Sequence, residues 1–190
     1  CVASRGAGVA CPLHGEGTEA MAEQGWRASV GYRWLHSDRH YVGDVEQKER
    51  QEEGSEVINN QHFVDLTVGY QFNPRFSASL TIPFVSNDRS QVVRSNNVAR
   101  TILNRFHTQA SGVGDIRVAG YAWLLDPEKH RQGNIQIGIG ADFPTGEKDA
   151  TDTFQVYDSA KKSVVSQVRT VDQSVQPGDG GYGLNLRSEE

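Results

Sequence analysis

Five stretches of the chain alternate apolar and polar residues with a period of two, the spacing that sends successive side chains of a strand to opposite faces. The clearest is Ile135, Ile137, Ile139, Ala141 and Phe143, interleaved with Asn134, Gln136, Gly138, Gly140 and Asp142. A first strand sets Trp26, Ala28, Val30, Tyr32 and Trp34 against Arg27, Ser29, Gly31 and Arg33. A second sets Val64, Leu66, Val68, Tyr70 and Phe72 against Asp65, Thr67, Gly69 and Gln71. Only Asn73, Pro74 and Arg75 separate it from a third, Phe76, Ala78, Leu80, Ile82 and Phe84 against Ser77, Ser79, Thr81 and Pro83, so these two form a hairpin. A fourth runs from Asp115 to Leu125; Ile116, Val118, Gly120, Ala122 and Leu124 are one choice of apolar face, but Tyr121, Trp123 and Leu125 sit on the other. A sixth begins near Gly181 to Leu186.

The connections alternate in length. Residues 37–61, 85–112 and 144–179 read as long polar loops, whereas 73–75 and 126–132 are short turns, so every long loop falls at one end of the sheet. Outer-membrane barrels of bacteria have this asymmetry, with short periplasmic turns and long outer loops. The expected fold is all-β, an antiparallel up-and-down transmembrane β-barrel of which about six strands are present, over residues 25–190 after a periplasmic arm at 1–24. Aromatic residues at the strand ends, Trp26, Trp34, Tyr70, Phe72, Phe76, Phe84 and Phe143, are placed to form girdles at the two membrane surfaces. The polar parity, Arg27, Arg33, Asp65, Gln71, Asp115, Asn134, Gln136 and Asp142, would line a pore. Equally, opposed Arg and Asp would neutralise each other inside a narrow, filled barrel.

Composition narrows the choice. A net charge of −5 over 190 residues lacks the basic excess of a nucleic-acid-binding surface. No apolar run is long enough for a spanning helix, so a membrane reading requires a closed sheet. The only methionine is Met21 and the first residue is Cys1, which suggests a chain read from after a removed signal peptide. Cys1 and Cys11 either close a small disulfide loop in an oxidising compartment or remain two thiols, and Cys1 is also open to lipidation. Single-chain barrels have an even strand number of about eight or more, so six strands imply a fragment or a chain that associates to close its edges.

Three glycine-bearing strings, SGVGDIRV at Ser111 to Val118, FPTGEK at Phe143 to Lys148 and QPGDGG at Gln176 to Gly181, resemble a family of outer-membrane channels named after a phenol-degradation meta-cleavage pathway. In that family similar strings open or close barrel strands beside the outer loops. The resemblance covers roughly residues 60 to 185. It implies a transporter-like barrel. The glycines by themselves read as turn or bulge residues at a barrel rim.

Other candidates are weaker. Val98, Ile102, Leu103 and Phe106 have a helical spacing, and the 85–112 connection would fold inward as a plug or stay an outer loop. His36, Asp38 and His40 read as a solvated strand end rather than a metal site. No spacing joins His62 or His107 to a nucleophile, so no enzyme is expected and no cofactor is implied. The expectation is a passive channel or porin-like transporter in a bacterial outer membrane for small molecules, apolar compounds among them. Its partners would be lipid, the solute and the barrel assembly machinery. The alternatives are a non-conducting surface barrel and a soluble β-sandwich whose apolar faces meet in a core.

Overall fold

The computed structural model describes residues 24–97, 100–130 and 133–189. The possible Cys1–Cys11 bridge and nearly all of the N-terminal arm lie outside these residues. Within them the chain is all-β apart from a single turn of helix, α1 (Glu49–Glu52). The strands are β1 (Gly25–Ser37), β2 (Tyr41–Val42), β3 (Val45–Glu46), β4 (Ile58–Asn73), β5 (Phe76–Arg94), β6 (Ile102–Val113), β7 (Ile116–Trp123), β8 (Gln136–Phe143), β9 (Thr151–Asp158), β10 (Ser163–Thr170) and β11 (Gly183–Glu189). The main sheet has seven strands, ordered β1-β4-β5-β7-β8-β11, with β6 paired to the far half of β5. All pairings are antiparallel, and β1 and β11 are its edges, so among the described residues the sheet is open.

Pairing register carries the alternation across the wall. One row reads Trp26, Tyr70, Ala78, Gly120, Ile139 and Leu186, and the adjacent row on the other face reads Arg27, Gly69, Ser79, Ala119, Gly140 and Asn185. The apolar face is not covered: on the interior strands Ile139 is 57% exposed, Val118 43% and Leu80 39%. The polar face is the enclosed one, with the Arg117 and Asp142 side chains only 15% and 21% exposed. This inverts the order of a water-soluble sheet.

Strand four could not be oriented from its sequence because both of its parities carry apolar residues; the register orients it, after a parity change at its start. Phe84 lies opposite Val113 but Thr81 lies opposite Arg117, so three steps along β5 face four steps along β6 and β7. The extra residue is a bulge at Gly114 and Asp115, placed opposite Pro83, which has no N–H to give the ladder. The Gly114 N–H donates instead to the Pro83 carbonyl at 2.8 Å. Before the bulge Phe106, Thr108 and Ala110 face the polar side; after it Arg117, Ala119 and Tyr121 do. Ile116, Val118, Gly120 and Ala122 therefore join the apolar face.

The long connections differ from the expected loops. β5 runs on to Arg94 and returns as β6, β9 and β10 form a second hairpin, and β2 and β3 a minor third. Ile102, Leu103 and Phe106 stand in a strand, not a helix, and Val98 lies outside the described residues. Their helical spacing misled because the alternation of β6 begins only at Phe106, with Phe106, Thr108 and Ala110 buried against exposed His107, Gln109 and Ser111. The short turn fulfils its expectation: the Asn73 side chain accepts the N–H groups of Arg75 (2.9 Å) and Phe76 (3.0 Å). Arg75 then reaches the Trp123 and Leu124 carbonyls at 2.8 and 2.7 Å, tying the two short turns together.

Candidate functional site: the polar face and the segment folded across it

Six of the eight proposed pore-lining residues, Arg27, Arg33, Asp65, Gln71, Gln136 and Asp142, share the polar face by register. Charges of opposite sign meet there. Arg117 Nε donates to Asp142 Oδ1 at 2.6 Å, and Asn185 Nδ2 donates to Asp142 Oδ2 at 2.6 Å. The Asp65 carboxylate feels both Arg33 and Arg117, and the Arg33 guanidinium lies 4.3 Å from the centre of the Phe63 ring. Thr67 and Thr81 hydroxyls share a hydrogen bond of 2.9 Å. Gln71 braces the hairpin turn through the Asn73 carbonyl at 2.6 Å.

Two expectations need correction. Asn134 lies outside β8, where it exchanges hydrogen bonds of 3.0 Å with the backbone N–H and carbonyl of Leu125. It closes the turn between β7 and β8. Asp115 is engaged by backbone at both carboxylate oxygens, Oδ1 accepting the Gly146 N–H and Oδ2 the Asp179 N–H, both at 2.9 Å.

Those two acceptances join the three glycine-bearing strings. Asp115 comes from the first, Gly146 from the second and Asp179 from the third. The backbones of Gly146 and Gly178 touch: a Cβ on Gly146 would stand 2.6 Å from Gly178 Cα, and a Cβ on Gly178 2.6 Å from the Gly146 carbonyl. No other residue type fits such an approach. The Gly178 N–H donates to the Glu147 carbonyl at 2.9 Å, completing the junction. The glycines are thus contact residues between distant segments, beyond their reading as turn or bulge formers.

From this junction residues 171–179 fold across the polar face. Asn87 Nδ2 donates to the Val175 carbonyl at 3.0 Å, Gln61 Nε2 to the Ser174 carbonyl, and Arg89 to Ser174 Oγ at 3.0 Å. Pro177 reaches the bulge, its ring atoms within 3.6 Å of a Cβ on Gly112. Val175 (1% exposed) and Val171 (4%) pack with Ala110, Ala150 and Phe154 in a small apolar core, and Phe154 meets the Phe106 ring at 5.8 Å. Buried Gln176 satisfies its whole amide locally. Its oxygen accepts the Ala150 N–H at 2.9 Å, and its nitrogen donates to the Val171 and Ala150 carbonyls at 3.1 and 3.3 Å. Burial acts to raise the Asp172 carboxyl, but hydrogen bonds from the Ser174 N–H and hydroxyl, with the Arg89 charge, outweigh it and hold its pKa below the ordinary value.

The aromatic residues form two levels on the apolar face. Near the short turns Trp26 lies 4.8 Å from Tyr70, and Tyr70 5.1 Å from Phe72, with Phe76 beside them. Toward the long connections stand Trp34, Phe84 and Phe143, joined by Tyr32 and by Tyr182, whose ring is 6.3 Å from Phe143. Tyr182 falls within the expected sixth strand near Gly181 to Leu186, where no girdle residue was assigned; in the structure it immediately precedes β11. Just beyond this level the face turns polar: Tyr32 Oη meets His62 Nδ1 at 2.7 Å, His36 Nδ1 meets Asn60 at 2.7 Å, and His107 meets Asp88 at 3.0 Å. A surface groove of about 540 Å³ lies at this rim. Its lining draws on both faces, His62 and Asp88 with Asn87 and Ala110, so it is not a lumen.

Set against known proteins, the chain matches no protein-family model, and no curated protein is similar to it.

Proposed function

We propose that this chain builds the wall of an outer-membrane β-barrel that acts as a passive channel for small molecules. The observation that carries the reading is the inverted sheet, apolar and bare outside, polar and enclosed within. Exposed apolar side chains run across this face from Trp26 on β1 to Leu186 on β11, whereas the apolar patches of ordinary soluble monomers are limited to a few hundred Å². At about 25 cal/mol per Å², each 100 Å² or so of such surface costs roughly 2.5 kcal/mol in water, a cost that a lipid environment removes. From Val64 to Phe72 the apolar face of β4 spans nine residues, the length of a tilted transmembrane strand of about 9–11. The two aromatic levels match interfacial girdles. The resemblance of the three strings to outer-membrane channels points the same way.

A soluble β-sandwich would need a second sheet over the apolar face, and among the described residues none covers it. Lipid also requires a strand against each of the β1 and β11 edges, since unpaired backbone groups are not tolerated in hydrocarbon. The test is heat-modifiable gel migration after extraction into detergent, followed by conductance in a planar bilayer. Steady current supports the channel. A folded barrel without current is the surface-interaction alternative, and a protein that stays monodisperse in water without detergent defeats the membrane reading.

A further inference from the structure

We infer that residues 171–179 are a fixed constriction at the long-loop end of the channel, latched by Asp115, and that this segment sets the size and polarity of what passes. The inference rests on the channel reading. Its geometry is independent of how the wall closes. The segment lies on the polar face and climbs it from the bulge opposite Pro83, where Pro177 sits, to Arg89, where Asp172 and Ser174 sit. That is a rise of six residues along β5, about 20 Å, beginning at the level of Phe84 in the outer girdle.

Three features make it fixed rather than a mobile flap. Its carbonyls at Ser174 and Val175 are taken by wall amides, Gln61 and Asn87, so leaving the wall would strand buried polar groups on both sides. Val171 and Val175 are in the dry core. Asp115 holds the backbones of two strings at once, and a backbone contact as close as that of Gly146 and Gly178 leaves no slack between them.

Chemistry of the exposed side of the segment defines the solute class. Asp172, Gln173 and Asp179 are exposed there, while its valines, proline and Gln176 are turned away and buried. Farther along the same face come Thr67, Thr81, Arg117 and Asp142. A solute passing along this surface meets hydrogen-bonding groups and water, which suits small hydrated molecules and disfavours apolar ones.

The experiment is swelling of vesicles that contain the folded protein, with a monosaccharide, a trisaccharide and a small aromatic alcohol as probes. Two variants are compared with the parent, Asp115→Ala and the pair Gln61→Ala with Asn87→Ala, each checked for heat-modifiable migration. The expected result is monosaccharide passage well above trisaccharide passage in the parent, and a several-fold rise in the trisaccharide-to-monosaccharide ratio in both variants. The sugars should also outpace the aromatic alcohol once its protein-free leak is subtracted. An unchanged ratio in folded variants, or a proportional rise for both sugars, overturns the constriction while leaving the channel. Preferential passage of the aromatic alcohol overturns the solute class. Absence of passage in the parent as well as the variants overturns the channel itself and the inference with it.

Discussion

Two regions of this molecule obey opposite rules. Between the aromatic levels, apolar side chains share the uncovered face of the sheet and polar ones the more enclosed face. At the long-loop end the order reverses: Val171, Val175, Ala110 and Ala150 are buried, and on the other face Arg105 draws residues 54–56 over the sheet through Glu56 at 3.0 Å and the Gly54 carbonyl at 2.8 Å. The sheet is continuous between them, since β5 runs through both. One strand therefore changes its allocation of side chains partway along, from apolar-out before Phe84 to covered on both faces beyond Asp88. Under the proposed membrane reading this is a change of solvent along the strand, because burial follows what the surface would otherwise meet.

Substitution can break that contrast where it is sharpest. Leu80→Arg, at mid-height of the apolar face, should destabilise the protein by about 2–4 kcal/mol if the face meets lipid. Val168→Arg, at a site 73% exposed on β10, should stay within about 0.5 kcal/mol. Urea unfolding in phospholipid vesicles measures both, and equal effects would erase the distinction between the regions.

The next effect belongs to the junction. Gly146→Val forces a side chain into the Gly178 backbone and should cost about 1–3 kcal/mol, read as earlier unfolding and as protease cleavage within 171–179. Val175→Ala removes buried methyl groups from the loop-end core and should cost about 2 kcal/mol by the same unfolding measurement. Lengthening the acyl chains should shift the Leu80→Arg penalty and leave these two unaltered.

The smallest effect depends on pH. The Asp172 carboxyl has a depressed pKa in the folded protein, so its contribution is fully present above the ordinary carboxylate value and is lost as pH falls through the lower, folded one. Amide exchange at Ser174 and Val175 should therefore accelerate on acidification below about pH 3.9 beyond the change intrinsic to exchange chemistry. Asp172→Asn should abolish that excess. An exchange profile identical in the two proteins would show that this carboxylate does not hold the segment.

Much of the belt is readable from residues alone. β1, β4 and the first half of β5 alternate cleanly because each has one uniform environment per face, and Asn73-Pro74-Arg75 closes their hairpin by local turn chemistry. The polar parity brought Arg33, Asp65 and Asp142 onto one face but passed over Arg89 and Arg117. Legibility fails where environments mix. Beyond Val85 both parities of β5 are polar or covered, so a strand to Arg94 read as a loop. Asp115 and Asn134 match the polar parity by counting, yet a bulge and a turn assign them to backbone groups.

Sequence alone determined the period of the strands, the pairing across the short turn, the faces of the wall and the aromatic levels, all of which depend on residues within a few positions of each other. Tertiary structure alone decided the parity change at Gly114, the contact of Gly146 with Gly178, and which connection folds across the polar face. The 171–179 segment takes that place, and the 85–112 connection extends as a hairpin instead. The reason is separation: Gln61 and Ser174 meet across 113 positions, and no local pattern records which distant amide will find a given carbonyl. Only the assembled sheet brings them within reach.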